Sequence, residues 1–142
     1  MYRIDNNLIF VSLEPNDQVI KSLTKIAEEL KLTSGWISGI GAIKTASIGM
    51  FDIDKKEYNK KDFFDKYELV SFEGNISIKE GKPFVHAHIV FSDKNYLAYA
   101  GHLFETIISA AGEFVIHKSD CTIKRIMNKT VGLPLWCIID NE

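Results

Sequence analysis

The chain has 142 residues, which is the length of one ordinary domain and is enough to bury a hydrophobic core without disulfides. Charged residues make up 25% and apolar residues 46%, the usual proportions of a soluble globular protein. The net charge of −2 does not favour sequence-independent nucleic-acid binding, which needs a basic face or tail. Since no linker or shift of composition divides the chain, we expect a single domain over residues 1–142.

The cysteines and the hydropathy restrict the cellular setting. Cys121 and Cys137 have no CxxC spacing, which indicates reduced thiols and not a disulfide framework. No apolar run approaches the roughly 18 residues of a transmembrane helix. No charged-then-apolar signal pattern is visible. These features predict a cytoplasmic protein without a membrane partner.

The first elements are predicted from hydrophobic periodicity. The run from Leu8 to Leu13 contains β-forming apolar residues and is typical of a strand. A proline then ends the run, and Asn16 or Asp17 is a suitable N-cap for a helix that reaches Lys31. Apolar residues recur in this helix at spacings of three and four: Val19, Ile20, Leu23, Ile26, Ala27 and Leu30. We expect it to be the main helix of the protein.

A glycine-rich stretch over residues 34–50 could be mistaken for a phosphate-binding loop. The residues after Gly41 continue as a strand, whereas a dinucleotide-binding fingerprint needs a helix after its glycines. We therefore expect Gly39 and Gly41 to mark a β-bulge or a close approach of two backbones. Phosphate binding is the alternative.

The rest of the chain predicts strands and tight turns. Residues 68–78 and 83–91 are expected to form a hairpin around a turn at residues 79–82. Further strands are expected at residues 96–100, 112–117, 121–127 and 135–139. The second and third of these are expected to pair with each other. The elements together predict an α+β fold, with one main amphipathic helix packed on a strongly bent, largely antiparallel β-sheet.

Three of the four histidines lie between Gly81 and His102. On a strand, His86 and His88 point to the same face, with α-carbons roughly 7 Å apart. A turn at residues 92–95 can bring His102 back beside them. Three imidazoles suit a divalent transition metal, above all zinc, with one open coordination position. Histidines that hydrogen-bond to neighbouring groups, or that line a subunit interface, are the alternatives.

Carboxylates are the next candidates. Glu105 follows His102 by three residues, while Glu73 and Glu113 lie in strand-like segments, so each could be a fourth metal ligand or a general base. A solvated charge on a sheet face is the alternative for each. The candidate pocket residues are Glu105, Gly39, Gly41 and Gly101.

No complete catalytic signature is present in the sequence. The chain lacks a GxSxG nucleophile motif and lacks the basic-aromatic pattern of a single-strand binder. The fourth histidine, His117, is followed by a lysine at a predicted strand end and is expected to be solvated. An enzyme is therefore the less favoured interpretation.

Several segments, taken in order, match a family pattern. They are Ser34-Gly35, Ser38-Gly39-Ile40-Gly41-Ala42, Gly74-Asn75-Ile76-Ser77, Gly81-Lys82-Pro83-Phe84-Val85-His86-Ala87-His88 and Ala100-Gly101-His102-Leu103. The set resembles the plant and prokaryote conserved (PPC) domain, which also occurs in plant AT-hook nuclear proteins. The resemblance covers nearly the whole chain and is strongest to the stand-alone prokaryotic members.

The resemblance implies a single α+β domain that assembles as a homotrimer. It implies that His86, His88 and His102 hold a metal ion near a subunit boundary, as is thought for some prokaryotic members. The family is labelled DNA-binding, but in the plant proteins a separate AT-hook with an Arg-Gly-Arg core reads DNA, and this sequence has no such core.

The function implied is therefore that of a homotrimeric assembly or regulatory protein. It would be DNA-associated through other proteins, with direct DNA binding disfavoured. A metal-dependent enzyme or a small-molecule sensor is the alternative function.

Overall fold

The computed structural model of the protein describes residues 1–138. Within them the chain forms β1 (Tyr2–Asp5), β2 (Leu8–Leu13), α1 (Val19–Glu29), β3 (Ser34–Asp52), β4 (Glu57–Lys79), β5 (Lys82–Ser92), β6 (Ala98–Ser119), β7 (Lys124–Asn128) and β8 (Leu133–Cys137). The predicted α+β class is confirmed in its coarse form. The helix has 11 residues and is a small element beside strands of 19, 23 and 22 residues, so the expectation of a main helix overstated its share.

The sheet bends until its pairing closes on itself. β3 pairs with β4 on one side and with β6 on the other. β4 also pairs with β5, and β5 pairs with the first residues of β6. The four strands β3, β4, β5 and β6 therefore form a ring of antiparallel pairs. β2 extends the sheet from the far end of β6, and β1 pairs with β2.

Bulges allow the long strands to bend. The β3–β4 register shifts between Gly39 and Gly41, and the β3–β6 register shifts just after Gly41. The backbones also come close together here, because a Cβ built on Gly41 would lie 2.5 Å from the carbonyl oxygen of Ala111. The expected bulge is confirmed. Both glycines lie inside a strand that is paired on both sides, so the stretch is not a phosphate-binding loop.

The helix covers one face of the ring. Its apolar stripe is buried through Val19, Leu23, Ile26 and Ala27. α1 packs on β5 and β6, over a core of side chains that are fully buried. Burying one such aliphatic side chain contributes about 1.5–3 kcal/mol to stability. This face is therefore the hydrophobic core, and the opposite face is free for polar chemistry.

The predicted cap of the helix was wrong. The N-cap residue is Gln18, and its side chain makes no capping hydrogen bond. The carboxylate of Asp17 instead accepts a hydrogen bond from the backbone N–H of Glu14, 2.9 Å away, which closes the turn before the helix. The helix ends at Glu29, and Lys31 adopts the left-handed conformation with φ 52°.

The predicted hairpin of residues 68–78 and 83–91 is confirmed, with Asn75 opposite His86 and Glu73 opposite His88. The turn is supported by left-handed backbone conformations at residues 80 and 81. Within residues 1–138 no helix has the length and apolar character that crossing a membrane requires.

The predicted pairing of residues 112–117 with 121–127 was wrong. Residues 98–119 form one strand, whose last third pairs with β3 on one edge and with β2 on the other. No edge is left for residues 121–127, so β7 pairs with β8 and meets β4 at Ile78. The predicted last strand, residues 135–139, is confirmed up to Cys137, and residue 139 lies outside the described residues.

The close approach at Gly41 makes a test of the fold. In a strand with room for a methyl group, Gly→Ala would stabilise by about 0.4–1 kcal/mol through the unfolded state. Because a backbone carbonyl occupies that space, we expect Gly41→Ala to lower the free energy of unfolding by about 1–3 kcal/mol in urea denaturation. A stabilised variant would contradict this packing.

Candidate metal centre

The histidines lie on the face of the ring that is opposite the core. His86 and His88 alternate along β5 with the buried residues Val85, Ala87 and Ile89. Because side chains on a strand alternate between faces, burial of these three residues forces both imidazoles to the other side. The polar face is therefore a direct consequence of the apolar one.

The pairing of β5 with β6 brings in the third histidine. His102 is the direct partner of His88 in the antiparallel register. The Nε2 atom of His86 lies 3.1 Å from the Nδ1 atom of His102, and one ring nitrogen of each histidine lies within 4.8 Å of the others. The predicted return of His102 is confirmed.

These distances suit a metal ion. Zinc–nitrogen bonds of about 2.0–2.1 Å in a tetrahedral site place ligand nitrogens about 3.3 Å apart. The three nitrogens need only small side-chain movements to reach that geometry. His88 is exposed and the other two are half-buried, so the cluster opens to solvent on one side.

Burial keeps the two inner imidazoles uncharged. The pKa of His86 is lowered to about 4, first by burial and then by the positive charge of Arg125. The pKa of His102 is also lowered to about 4, first by burial and then by His88 and Arg125. Both rings are neutral at pH 7, which is the form that binds a metal.

Aromatic rings hold His102 in place. Tyr58 of β4 stacks on the imidazole with ring centroids 4.8 Å apart, and Phe104 meets it edge-on at 5.0 Å. Phe104 follows His102 by two residues and so shares its face, a spacing in the sequence that indicates this contact. Tyr58 lies at the start of β4, outside the residues 68–78 that were predicted to pair with the histidine strand.

A cation lies beside the cluster. The Arg125 guanidinium donates from Nε to Ser77 Oγ at 2.8 Å, from Nη2 to Asn75 Oδ1 at 2.9 Å and from Nη1 to the Pro134 carbonyl at 3.0 Å. Asn75 is the cross-strand partner of His86. Arg125 was not predicted at the site because residues 121–127 were expected to pair with residues 112–117.

A carboxylate lies on the other side. Glu73 is the cross-strand partner of His88, and its Oε2 accepts a hydrogen bond from Trp36 Nε1 at 2.8 Å. Glu73, His88 and Gly101 border a surface depression of about 400 Å³. The predicted pocket residue Gly101 and the candidate Glu73 thus lie beside the histidines.

The structure places Glu105 elsewhere. Its carboxylate accepts hydrogen bonds from the backbone N–H groups of Ile20 at 2.8 Å and Lys21 at 3.2 Å, at the start of α1. Positions three apart, such as His102 and Glu105, fall on opposite faces of a regular strand. Glu105 therefore serves as the cap that the helix lacks locally, and it does not join the histidine cluster.

The other predicted residues are also outside the cluster. Gly39 and Gly41 pack against the distant end of β6, at Phe114 and Ala111. His117 and Glu113 are exposed on that same end. Both cysteines are free, and neither belongs to the group of metal-ligating side chains.

A bent antiparallel ring with three imidazoles on its polar face defines a small domain with a candidate metal centre. The family model of the Plants and Prokaryotes Conserved (PCC) domain matches residues 4–120, and the chain belongs to this family. The resemblance of the sequence motifs is thereby confirmed. No curated protein matches the chain.

Solved structures agree with this assignment. The chain is similar to a candidate DNA-binding protein from Bacteroides thetaiotaomicron, with 33% identity, a TM-score of 0.93 and 96% of each chain covered. It is similar to a metal-containing protein from Archaeoglobus fulgidus, with 31% identity, a TM-score of 0.86 and 97% and 99% coverage. A plant- and prokaryote-conserved protein from Pyrococcus horikoshii gives 29% identity, a TM-score of 0.86 and 99% and 97% coverage.

The position of Glu105 can be tested separately from the histidines. We expect Glu105→Ala to destabilise the protein by about 0.5–2 kcal/mol, because two N–H groups at the helix start lose their acceptor. Urea denaturation measures this loss, with Glu113→Ala as the control on the same strand. Metal content should not change in either variant, and a loss of metal from Glu105→Ala would restore it as a ligand.

Proposed function

We propose that the protein is a metal-binding PCC-domain protein that assembles as a homotrimer and acts as an assembly or regulatory component, associated with DNA through other proteins. His86, His88 and His102 would hold one divalent transition-metal ion, above all zinc. The observation that carries this proposal is the convergence of three ring nitrogens within 4.8 Å on one polar face.

The donor set supports the choice of metal. Three neutral imidazoles suit zinc and similar ions, whereas calcium and magnesium prefer oxygen ligands. The rings of Tyr58 and Phe104 would keep His102 oriented toward the ion. A bound ion would supply Lewis acidity at its remaining coordination position. The 31% identical relative from Archaeoglobus fulgidus, a metal-containing protein, supports the same choice.

Exposed apolar side chains support self-assembly. Phe10, Trp36, Ile40 and Val70 are between 46% and 54% exposed on β2, β3 and β4, and such apolar surface is typical of interaction sites. The hydrogen bond from Trp36 to Glu73 connects this surface with the depression beside His88. A partner subunit on this surface would thus lie near the metal centre.

The association with DNA is supported by a relative and limited by charge. The 33% identical relative is described as a candidate DNA-binding protein. The net charge of −2 gives this chain no excess of cations for the phosphate backbone. Contacts with DNA-bound proteins therefore fit the chain better than direct binding.

A metal-dependent enzyme or a small-molecule sensor is the second candidate. The observation that favours it is the depression of about 400 Å³ beside the exposed His88, bordered by the carboxylate of Glu73. An ion held by three protein ligands keeps a position open for a ligand from that side.

The metal site predicts a stoichiometry. Protein purified without added metal or chelator should contain about one divalent transition-metal ion per chain by elemental analysis. Replacing any one of the three ligands should lower zinc affinity more than about 100-fold, in His86→Ala, His88→Ala or His102→Ala. Replacing a residue that only contacts a ligand typically lowers the affinity about 10–100-fold. His117→Ala is the matched control and should bind like the wild type. Metal-free wild-type protein that takes up no zinc would refute the site.

The assembly predicts a different set of changes. Sedimentation analysis should show that the protein is a trimer. Its affinity for a DNA duplex, measured separately, should be no higher at low salt than at high salt. Ile40→Glu should dissociate the trimer because it places a charge in the apolar surface, whereas Ile53→Glu, exposed to 60% in the β3–β4 turn, should not. Tight DNA binding that weakens steeply with salt would overturn the indirect association.

Chelation separates the two candidate functions. A trimer that persists without metal and loses only the binding of small molecules would favour the enzyme or sensor. A trimer that falls apart on chelation would favour a metal with a role in assembly.

A further inference from the structure

We propose that the histidine centre takes a small oxyanion, a carboxylate or a phosphate, and that Arg125 binds its charged group. The inference rests on the metal site proposed above and identifies the class of ligand for it. It concerns a side chain that is not among the histidines and that comes from β7.

The position of Arg125 places it on the polar face next to the ligands. Its guanidinium lies 5.4 Å from the ring centroid of Phe84, which precedes His86 by two residues and so shares its face. It also donates to Asn75, the cross-strand partner of His86. Residues two apart on a strand, such as Phe84 and His86, have α-carbons roughly 7 Å apart. A small ligand can therefore reach both the guanidinium and the imidazoles.

The hydrogen-bond acceptors that hold Arg125 carry no charge. Within residues 1–138 no carboxylate lies within salt-bridge distance of the guanidinium, and its three hydrogen-bond acceptors are a hydroxyl, an amide and a backbone carbonyl. A partly buried cation with neutral partners is costly unless something else compensates the charge. Burial lowers the pKa of Arg125, which shows the same cost. A divalent ion beside neutral histidines would add further positive charge to this face.

The guanidinium has donors to spare. It carries five N–H groups in a planar fork, of which one on Nε and one on each Nη are used by protein acceptors. One N–H on each terminal nitrogen is left. Both can donate to the oxygens of a carboxylate or a phosphate. The stacking on Phe84 and the three fixed hydrogen bonds hold the fork in one orientation, so little order must be created when an anion binds.

A purely structural role is the competing explanation. Arg125 does tie β7 and β8 to the sheet through Ser77 and Pro134. That role would affect the stability of the protein but not its affinity for anions. Binding and unfolding must therefore be measured on the same variants.

The test is calorimetric titration of inorganic phosphate and of acetate into the zinc-loaded and the metal-free protein. We expect one of the two anions to bind the zinc-loaded wild type. Arg125→Gln should weaken that binding at least about tenfold, as lost charge-assisted hydrogen bonds imply. Arg125→Lys keeps the charge without the fork and should weaken it about threefold. Arg3→Gln, the substitution of the other arginine at an exposed position of β1, should bind like the wild type.

The outcomes separate this inference from the proposed function. The role of Arg125 is overturned if the wild type takes up zinc but binds neither anion. It is also overturned if Arg125→Gln binds the anion as tightly as the wild type does. Both results leave the metal site intact. No zinc uptake refutes the metal site. Anion binding to the metal-free protein that still depends on Arg125 would keep the anion site even then.

One further outcome decides whether the anion is a small ligand or a nucleic-acid backbone. A short DNA duplex that binds through Arg125, with phosphate and acetate inactive, would overturn the small ligand in favour of a nucleic-acid backbone. Thermal unfolding identifies variants that fail to fold. If Arg125→Gln fails to fold, the titrations of the wild type and of Arg125→Lys still test whether Arg125 binds the anion.

Discussion

The antiparallel register between β5 and β6 is the constraint on which the site depends. It places His102 opposite His88 and leaves Ile89 and Leu103 buried on the other face. A slip by one residue would exchange the faces and drive an imidazole into the core. The free energy of burying the apolar residues is therefore what holds the three ring nitrogens together.

One face of the ring forms the hydrophobic core, and the other carries the candidate site. α1 closes the apolar face, and its N-terminus is capped by Glu105 from β6, so the helix position depends on the same strand that carries His102. The β7–β8 hairpin borders the polar face through Arg125. Partial burial there lowers the pKa of His86 and of His102 to about 4, so both rings are neutral beside the charged guanidinium. A site built this way would suit the proposed metal ion and the proposed anion together.

Prediction succeeded where local pattern decides the structure. The alternation of apolar residues around His86 and His88 and the turn at residues 79–82 were sufficient for β5 and its hairpin with β4. It failed at β6, because small and polar residues after Glu105 hide one continuous 22-residue strand. It failed for residues 121–127 because β2 and β3 already occupy both edges of the last part of β6. The local sequence of residues 112–127 does not show this competition. The ends of α1 were misplaced by one or two residues, as a remote cap replaced a local one.

The sequence by itself determined which residue types are available and which face of β5 carries them, because strand alternation is a local property. It also carried the ordered motifs by which the family is recognised. Only the tertiary structure decided that His102 completes the cluster and that Arg125 lies beside it. It also decided that Glu105 caps the helix and does not join the histidines. These three placements depend on pairings between residues far apart in the chain. No periodicity within one segment specifies its partner, so they follow from the closed ring and not from any single stretch of sequence.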